Sequence, residues 1–236
     1  APKSNLARFQ CIDPAARGLG EARFRRVTRP ALTRTLVDLL GADIAGDPDV
    51  QTFLGTLPEG SISAAVTEIG EEPPVSVPMA LLNVSARVAA MADSSSTLRG
   101  RIFGSCVNVT PVTDACASAF ISAFGKKALR RRLLAGESTA MLTQFKSVGG
   151  SEGLNLVLMR LLMNPGMVYH VELGGTIQNN RIRLTDYEVA SRISYGITGT
   201  FPDDQLFAAA ADFDGDSFDD LIAAGAKIRA SLLCPA

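Results

Sequence analysis

A mainly α fold is what this 236-residue sequence predicts: an irregular multi-helix bundle with long loops, braced by disulfides. Three observations carry the prediction. Apolar residues recur at three- and four-residue spacing, as in Leu154, Val157, Leu158, Leu161 and Leu162. Helix start and stop signals punctuate the chain, from Thr28 and Pro30 to Gly41, and again at Thr185-x-x-Glu188. Strand character is confined to residues 62–69. The length suits one compact unit, read as an N-terminal helical region with long loops (1–100) and a C-terminal helical region with an acidic loop (101–236).

Thr28 caps the first helix, Pro30 sits in its first turn, Leu32, Leu36, Leu39 and Leu40 share a face, and Gly41 stops it. Residues 42–60 read as a long loop with one helical turn around 50–54, and residues 61–78 as irregular apart from the short strand. Residues 77–91 are helical, and Ser94-Ser95-Ser96 breaks them. Residues 106–111 form a loop. The next helix spans 114–124, with Cys116, Phe120 and Phe124 at i, i+4 spacing. Gly125 ends or kinks it, and 126–134 continues with a basic face. Residues 137–145 are a further helix, and Gly149-Gly150 is a turn. The apolar helix from Leu154 stops before Pro165, and 167–173 are its tail. Residues 174–181 are a polar connection. The capping box opens a helix that ends near Gly196 and pairs Glu188 with Arg192. Pro202 starts a helix running through Ala210, and 221–233 form the last one.

Net charge is −1, so overall electrostatics selects no partner. Charge is unevenly distributed: Arg8, Arg17, Arg23, Arg25, Arg26, Arg29 and Arg34 lie early, and the aspartates lie late. This layout either orients docking against another subunit or makes two solvated faces. No apolar run is long enough to span a membrane. A start at Ala1 fits a mature exported chain after signal removal. The four cysteines allow three pairings and contain no CxxC. Cys106–Cys116 and Cys11–Cys234 are the favoured bridges, one closing a short loop and one tying the ends; four buried thiols are the alternative.

The densest chemical signal is Asp212-Phe213-Asp214-Gly215-Asp216-Ser217-Phe218-Asp219-Asp220. Asp212, Asp214, Asp216, the Phe218 carbonyl and Asp220 have the spacing of a structural Ca²⁺ loop similar to integrin-type calcium repeats. Ser217 departs from the usual glycine, and Ala223 stands where an EF-hand would have Glu. A solvated acidic cap on the following helix explains the same residues. His170 is the sole imidazole, beside Tyr169 and Glu172, and reads as packed or surface-exposed, not catalytic. Lys126, Lys127, Arg130, Arg131 and Arg132 lack the interleaved aromatics of a nucleic-acid surface and suggest ion pairs with Glu137 or the acidic C-terminal region. Asn83-Val84-Ser85 and Asn108-Val109-Thr110 fit the glycosylation sequon, a frequent chance match. No residue set proposes a catalytic site, and no haem-attachment motif is present.

Several segments resemble a family of planctomycete and myxobacterial secreted proteins, built from consecutive domains of unknown function and often associated with c-type cytochrome domains. Arg25-Arg26-Val27-Thr28-Arg29 through Leu39-Leu40-Gly41 is similar to its opening motif. Arg101-Ile102-Phe103 with Cys106, Cys116 and Phe120-Ile121 is similar to its cysteine segment, Ala128-Leu129-Arg130-Arg131 to a third, and Tyr169 with Val171 and Glu172 to a fourth. The longest likeness runs from Leu184 to Tyr195 and on through Pro202-Asp203-Asp204 and Leu206. His170, Arg132 and Gly196-Ile197 depart from the family's pattern. The resemblance implies a periplasmic or extracellular helical protein with a Cys106–Cys116 bridge and no established chemistry. It also implies a shortened member acting as a non-catalytic subunit or interaction module, with other protein subunits, a cytochrome or a membrane complex as partner. A secreted-enzyme fragment lacking its C-terminal part and a self-assembling surface or filament subunit are the alternatives.

Overall fold

The computed structural model describes residues 25–57, 62–63, 66–68, 75–108, 110–174, 177–178, 181–182 and 184–211. Among them the fold is mainly α. The elements are β1 (Arg25–Arg26), α1 (Arg29–Leu40), α2 (Ala42–Ala45), α3 (Pro48–Gly55), β2 (Ile62–Ser63), β3 (Val66–Glu68), α4 (Ser76–Ser94) and α5 (Ser96–Phe103). A 3-10 segment (Gly104–Asn108) leads to α6 (Asp114–Leu129), α7 (Ala135–Val148), α8 (Gly150–Leu162), α9 (Pro165–Val168) and β4 (Tyr169–His170). A two-stranded ribbon, β5 (Ile177–Gln178) and β6 (Arg181–Ile182), precedes α10 (Asp186–Ile197) and α11 (Asp204–Ala211).

Local chemistry sets most helix ends. Thr28 accepts the Ala31 N–H at the start of α1, and Thr113 accepts the Cys116 N–H at the start of α6. Ser95 ends α4 and caps α5, accepting the Leu98 N–H. Gly149, at φ 76°, separates α7 from α8, a conformation that favours glycine.

One apolar core runs from Val27 to Tyr169 and makes these elements a single body. Its centre is α8, packed against α4, α6 and α7, with Leu154, Val157, Leu158 and Leu161 all 0% exposed. Full burial of each such side chain contributes about 1.5–3 kcal/mol. The Cys106–Cys116 disulfide pins the 3-10 segment to the start of α6. A small antiparallel sheet, in the order β2-β3-β1-β4, sits at one edge. Arg25 lies opposite Glu68 and His170, and Arg26 opposite Thr67 and Tyr169. Helices α10 and α11 pack on each other and form a second, smaller apolar cluster from Ala190, Leu206 and Ala210.

Several expectations need correction. Residues 42–57 are two short helices rather than a loop with one turn; Asp47 caps α3 and Pro48 starts it. The break at Ser94–Ser96 is a helix junction. Gly125 does not end α6, which continues to Leu129: a Cβ there would lie 2.5 Å from Leu133 Cδ1, so the glycine admits the returning chain. Residues 167–173 are not a helical tail: Met167 and Val168 end α9, and Tyr169 and His170 form strand β4 because they pair with β1. Of the early arginines, Arg8, Arg17 and Arg23 lie outside the described residues; Arg26 is buried, Arg29 donates to the Leu57 carbonyl, and the exposed Arg34 donates to Thr198 O. No helix among the described residues is long and apolar enough to cross a membrane.

Candidate functional site

The α10–α11 pair meets the body along a seam, and a cleft of about 360 Å³ opens there. Its walls are the end of α6, α9, the segment after β4 and the first turns of α10. Several polar groups along the seam have definite roles.

Arg130 closes α6 in the left-handed region, at φ 58°. It is buried, and its guanidinium donates to the Tyr169 carbonyl at 2.6 Å and lies 3.4 Å from the Tyr195 hydroxyl. The same group stacks over the Tyr195 ring, 5.2 Å from its centre. A strained backbone and a desolvated cation are retained here because Arg130 ties α6, β4 and α10 together. Thr35, buried in α1, shares a 2.9 Å hydrogen bond with Tyr195 Oη.

Glu188 holds the chain after β4. Its carboxylate accepts the Leu173 N–H at 2.7 Å, the Gly174 N–H at 3.0 Å and the Thr185 N–H at 2.7 Å. The last bond, with the return bond from Glu188 N to Thr185 Oγ1, completes the capping box expected from the sequence. Arg192, expected to pair with Glu188, instead forms a two-pronged ion pair with Glu172 at 2.5 and 2.6 Å. Tertiary structure overrides the helical spacing because Glu188 is committed to backbone donors, while Glu172 is nearly buried and needs a cation. Burial raises the Glu172 pKa, but the Arg192 hydrogen bonds and the charges of Arg192 and Arg25 outweigh it, so the group stays below the usual range.

His170 projects from β4 and meets the Tyr195 ring edge-on, at 4.8 Å and 90°. Burial, reinforced by the Arg130 charge, lowers its pKa to about 4 and keeps the ring neutral in ordinary conditions. It is packed, as expected, although on a strand and not at a helix end. The other basic residues of the 126–132 run are satisfied within the chain. Arg131 pairs with Glu137 at 2.8 Å, Arg132 donates to Tyr187 Oη at 2.9 Å, and Lys127 lies 3.7 Å from Asp204. Lys126 sits over the Phe207 ring.

Apolar side chains form the lips of the cleft: Leu134 is 65% exposed and Leu173 77%, with Val171 beside them. The result is a shallow apolar mouth over a floor of mutually paired polar groups. Sequence reasoning missed this site because its parts come from separated segments. The signal available was that Arg130, Tyr169, Glu172, Glu188 and Tyr195 all belong to the motifs carrying the family resemblance.

Of the sites read from sequence, Cys106 and Cys116 are joined. Cys11, Cys234, Asp212, Asp214, Asp216, Phe218 and Asp220 lie outside the described residues. Among the described residues no cluster of three or more metal-ligating side chains occurs. The Asn83 sequon lies within α4 with Ser85 fully buried.

Neither a curated protein nor a solved structure matches this chain. The family described as "PSD4: Protein of unknown function (DUF1592)" matches residues 184–216, the segment that supplies α10 and α11; α10 forms one wall of the cleft.

Proposed function

We propose that this chain is a non-catalytic interaction module of the periplasm or extracellular space, docking another protein subunit at the seam cleft. The exposed apolar lips, Leu134 and Leu173, carry the reading, because solvated leucines around a concave polar floor are the pattern of a docking pocket. The polar groups of the floor are spent on holding the seam: Arg130, Glu172, Glu188 and Arg192 bond one another or backbone. The Cys106–Cys116 bridge supports an oxidising compartment. The match at residues 184–216, together with the motif resemblance, supports an accessory role in a cytochrome-containing or membrane-bound electron-transfer assembly. A structural Ca²⁺ at Asp212, Asp214, Asp216, Phe218 and Asp220 is part of the same proposal and rests on spacing alone.

Co-purification from the native source tests it. The expected result is a stoichiometric partner bound to the wild-type chain and lost from a Leu134→Asp/Leu173→Asp variant whose helical circular dichroism is unchanged. A partner that survives both substitutions would remove the cleft from the interface. Polymers of the chain alone would favour a self-assembling subunit.

A further inference from the structure

We infer that the α10–α11 pair is a proton-gated latch, closed on the body while the His170 imidazole is neutral and released as that ring takes up a proton. The inference stands on the arrangement of the seam and is independent of what the cleft docks.

The body is held by one continuous apolar core, whereas α10 and α11 share a small cluster of their own. The pair reaches the body largely through polar and aromatic contacts, and His170 sits among them. Its ring meets Tyr195, the residue of α10 that bonds Thr35 of α1 and Arg130 of α6. The charges facing it come from every neighbouring element. Arg25 lies opposite on β1, Arg130 ends α6, and Arg192 and Tyr195 come from α10. Glu172 follows β4 and is committed to Arg192. Arg131 and Glu188 line the same cleft and are paired to Glu137 and to backbone N–H groups. A protonated imidazole would therefore join three guanidinium groups with one carboxylate already engaged, in a half-buried site.

Linkage gives the direction. In the closed form the ring has a pKa of about 4, against 6.5 when solvated. Protons bind the open form first, so the open-to-closed ratio rises as pH falls through 6.5 and levels off below about 4. A shift of this size changes that ratio by up to about 300-fold. Glu172, also held below its ordinary range, acts in the same direction at lower pH, since its protonation frees Arg192.

The chain contains one histidine, so a single imidazole resonance reports the site directly. The expected result is a midpoint below 6.5 in the native protein, between the closed and solvated values. Amide hydrogen exchange, corrected for intrinsic rates, then compares α10–α11 with α4 and α8 across the same range. Protection of α10–α11 is expected to fall by up to about 300-fold between pH 6.5 and about 4, through an opening that leaves α4 and α8 more protected. His170→Phe keeps a ring edge against Tyr195, cannot be protonated and should lose that response; His170→Gln is the second variant if the first misfolds. The latch is overturned by a midpoint near 6.5, by α10–α11 exchanging in step with α8 at every pH, or by a response above pH 4.5, where Glu172 does not contribute, that survives in the non-titrating variant.

Discussion

In the body, α8 buries Leu154, Val157, Leu158 and Leu161 completely among α4, α6 and α7. Along the seam, α10 instead buries small residues, Ala190, Ser191 and Ser194, and reaches across with Tyr195, Arg192 and Glu188. The first attachment is non-directional and scales with apolar area. The second depends on hydrogen-bond geometry and charge, so it is specific, sensitive to pH and individually replaceable. The difference places the stability of this protein in the body and its capacity for local opening in the pair.

Substitutions at four positions break or sharpen that contrast. Leu158→Ala removes a fully buried side chain at the centre of α8 and should cost about 3–4 kcal/mol in denaturant unfolding. It should lower the unfolding midpoint of the whole body, read by far-ultraviolet circular dichroism. Arg130→Ala leaves the Tyr169 carbonyl without its guanidinium donor, with an expected loss of about 2 kcal/mol. Here the loss should concentrate in the exchange protection of α10, while α4 and α8 change less. Arg130→Gly relieves the left-handed strain and should recover about 1 kcal/mol of that loss.

Glu188→Ala removes an acceptor of three backbone N–H bonds and one side of a capping box, worth about 1–2 kcal/mol. Faster exchange at Leu173, Gly174 and the first turn of α10 would show it, with global unfolding little changed. The smallest effect belongs to the body's own acid response. Asp47 caps α3, and its hydrogen bonds from Arg87, opposed by burial and aided by the Val50 and Asp49 N–H groups, hold its pKa at about 2. A folded-state pKa below the ordinary value of about 4 means this stabilisation is complete above that value. It is lost as pH falls toward 2. Asp47→Asn keeps the cap and drops the charge, so stability measured across that window should lose part of its acid dependence. An equal acid dependence in the variant would assign the effect elsewhere.

Some of the motifs that made the sequence resemble a family supply seam residues, while the opening motif and the cysteine segment belong to the body. Thr28 starts α1, Arg130 caps the outer edge of β4 by bonding the Tyr169 carbonyl, and Glu172, Glu188, Arg192 and Tyr195 interlock. Their common property is positional: each fixes one element against another. That supports a structural origin for the motifs, with the cleft as the surface they leave behind.

The sequence by itself determined the long helices and several of their caps and favoured the Cys106–Cys116 pairing that the structure shows, because these depend on side chains close along the chain. Thr28 with Pro30, Thr185 with Glu188 and the leucine spacing of α8 act within a few turns, where backbone donors and apolar faces leave few alternatives. Residues 42–57 were less legible because α2 and α3 are short and gain their stability from the core beneath them. Only the tertiary structure decided that Tyr169 and His170 form a strand, that Arg192 chooses Glu172 over Glu188, and that Arg130 accepts a left-handed backbone. Each is a competition between a weak local preference, worth a few tenths of a kcal/mol to about 2 kcal/mol, and the larger requirement that buried charges and backbone groups be paired. Which partner satisfies that requirement depends on where distant segments meet, and that position is set by the packing of the body.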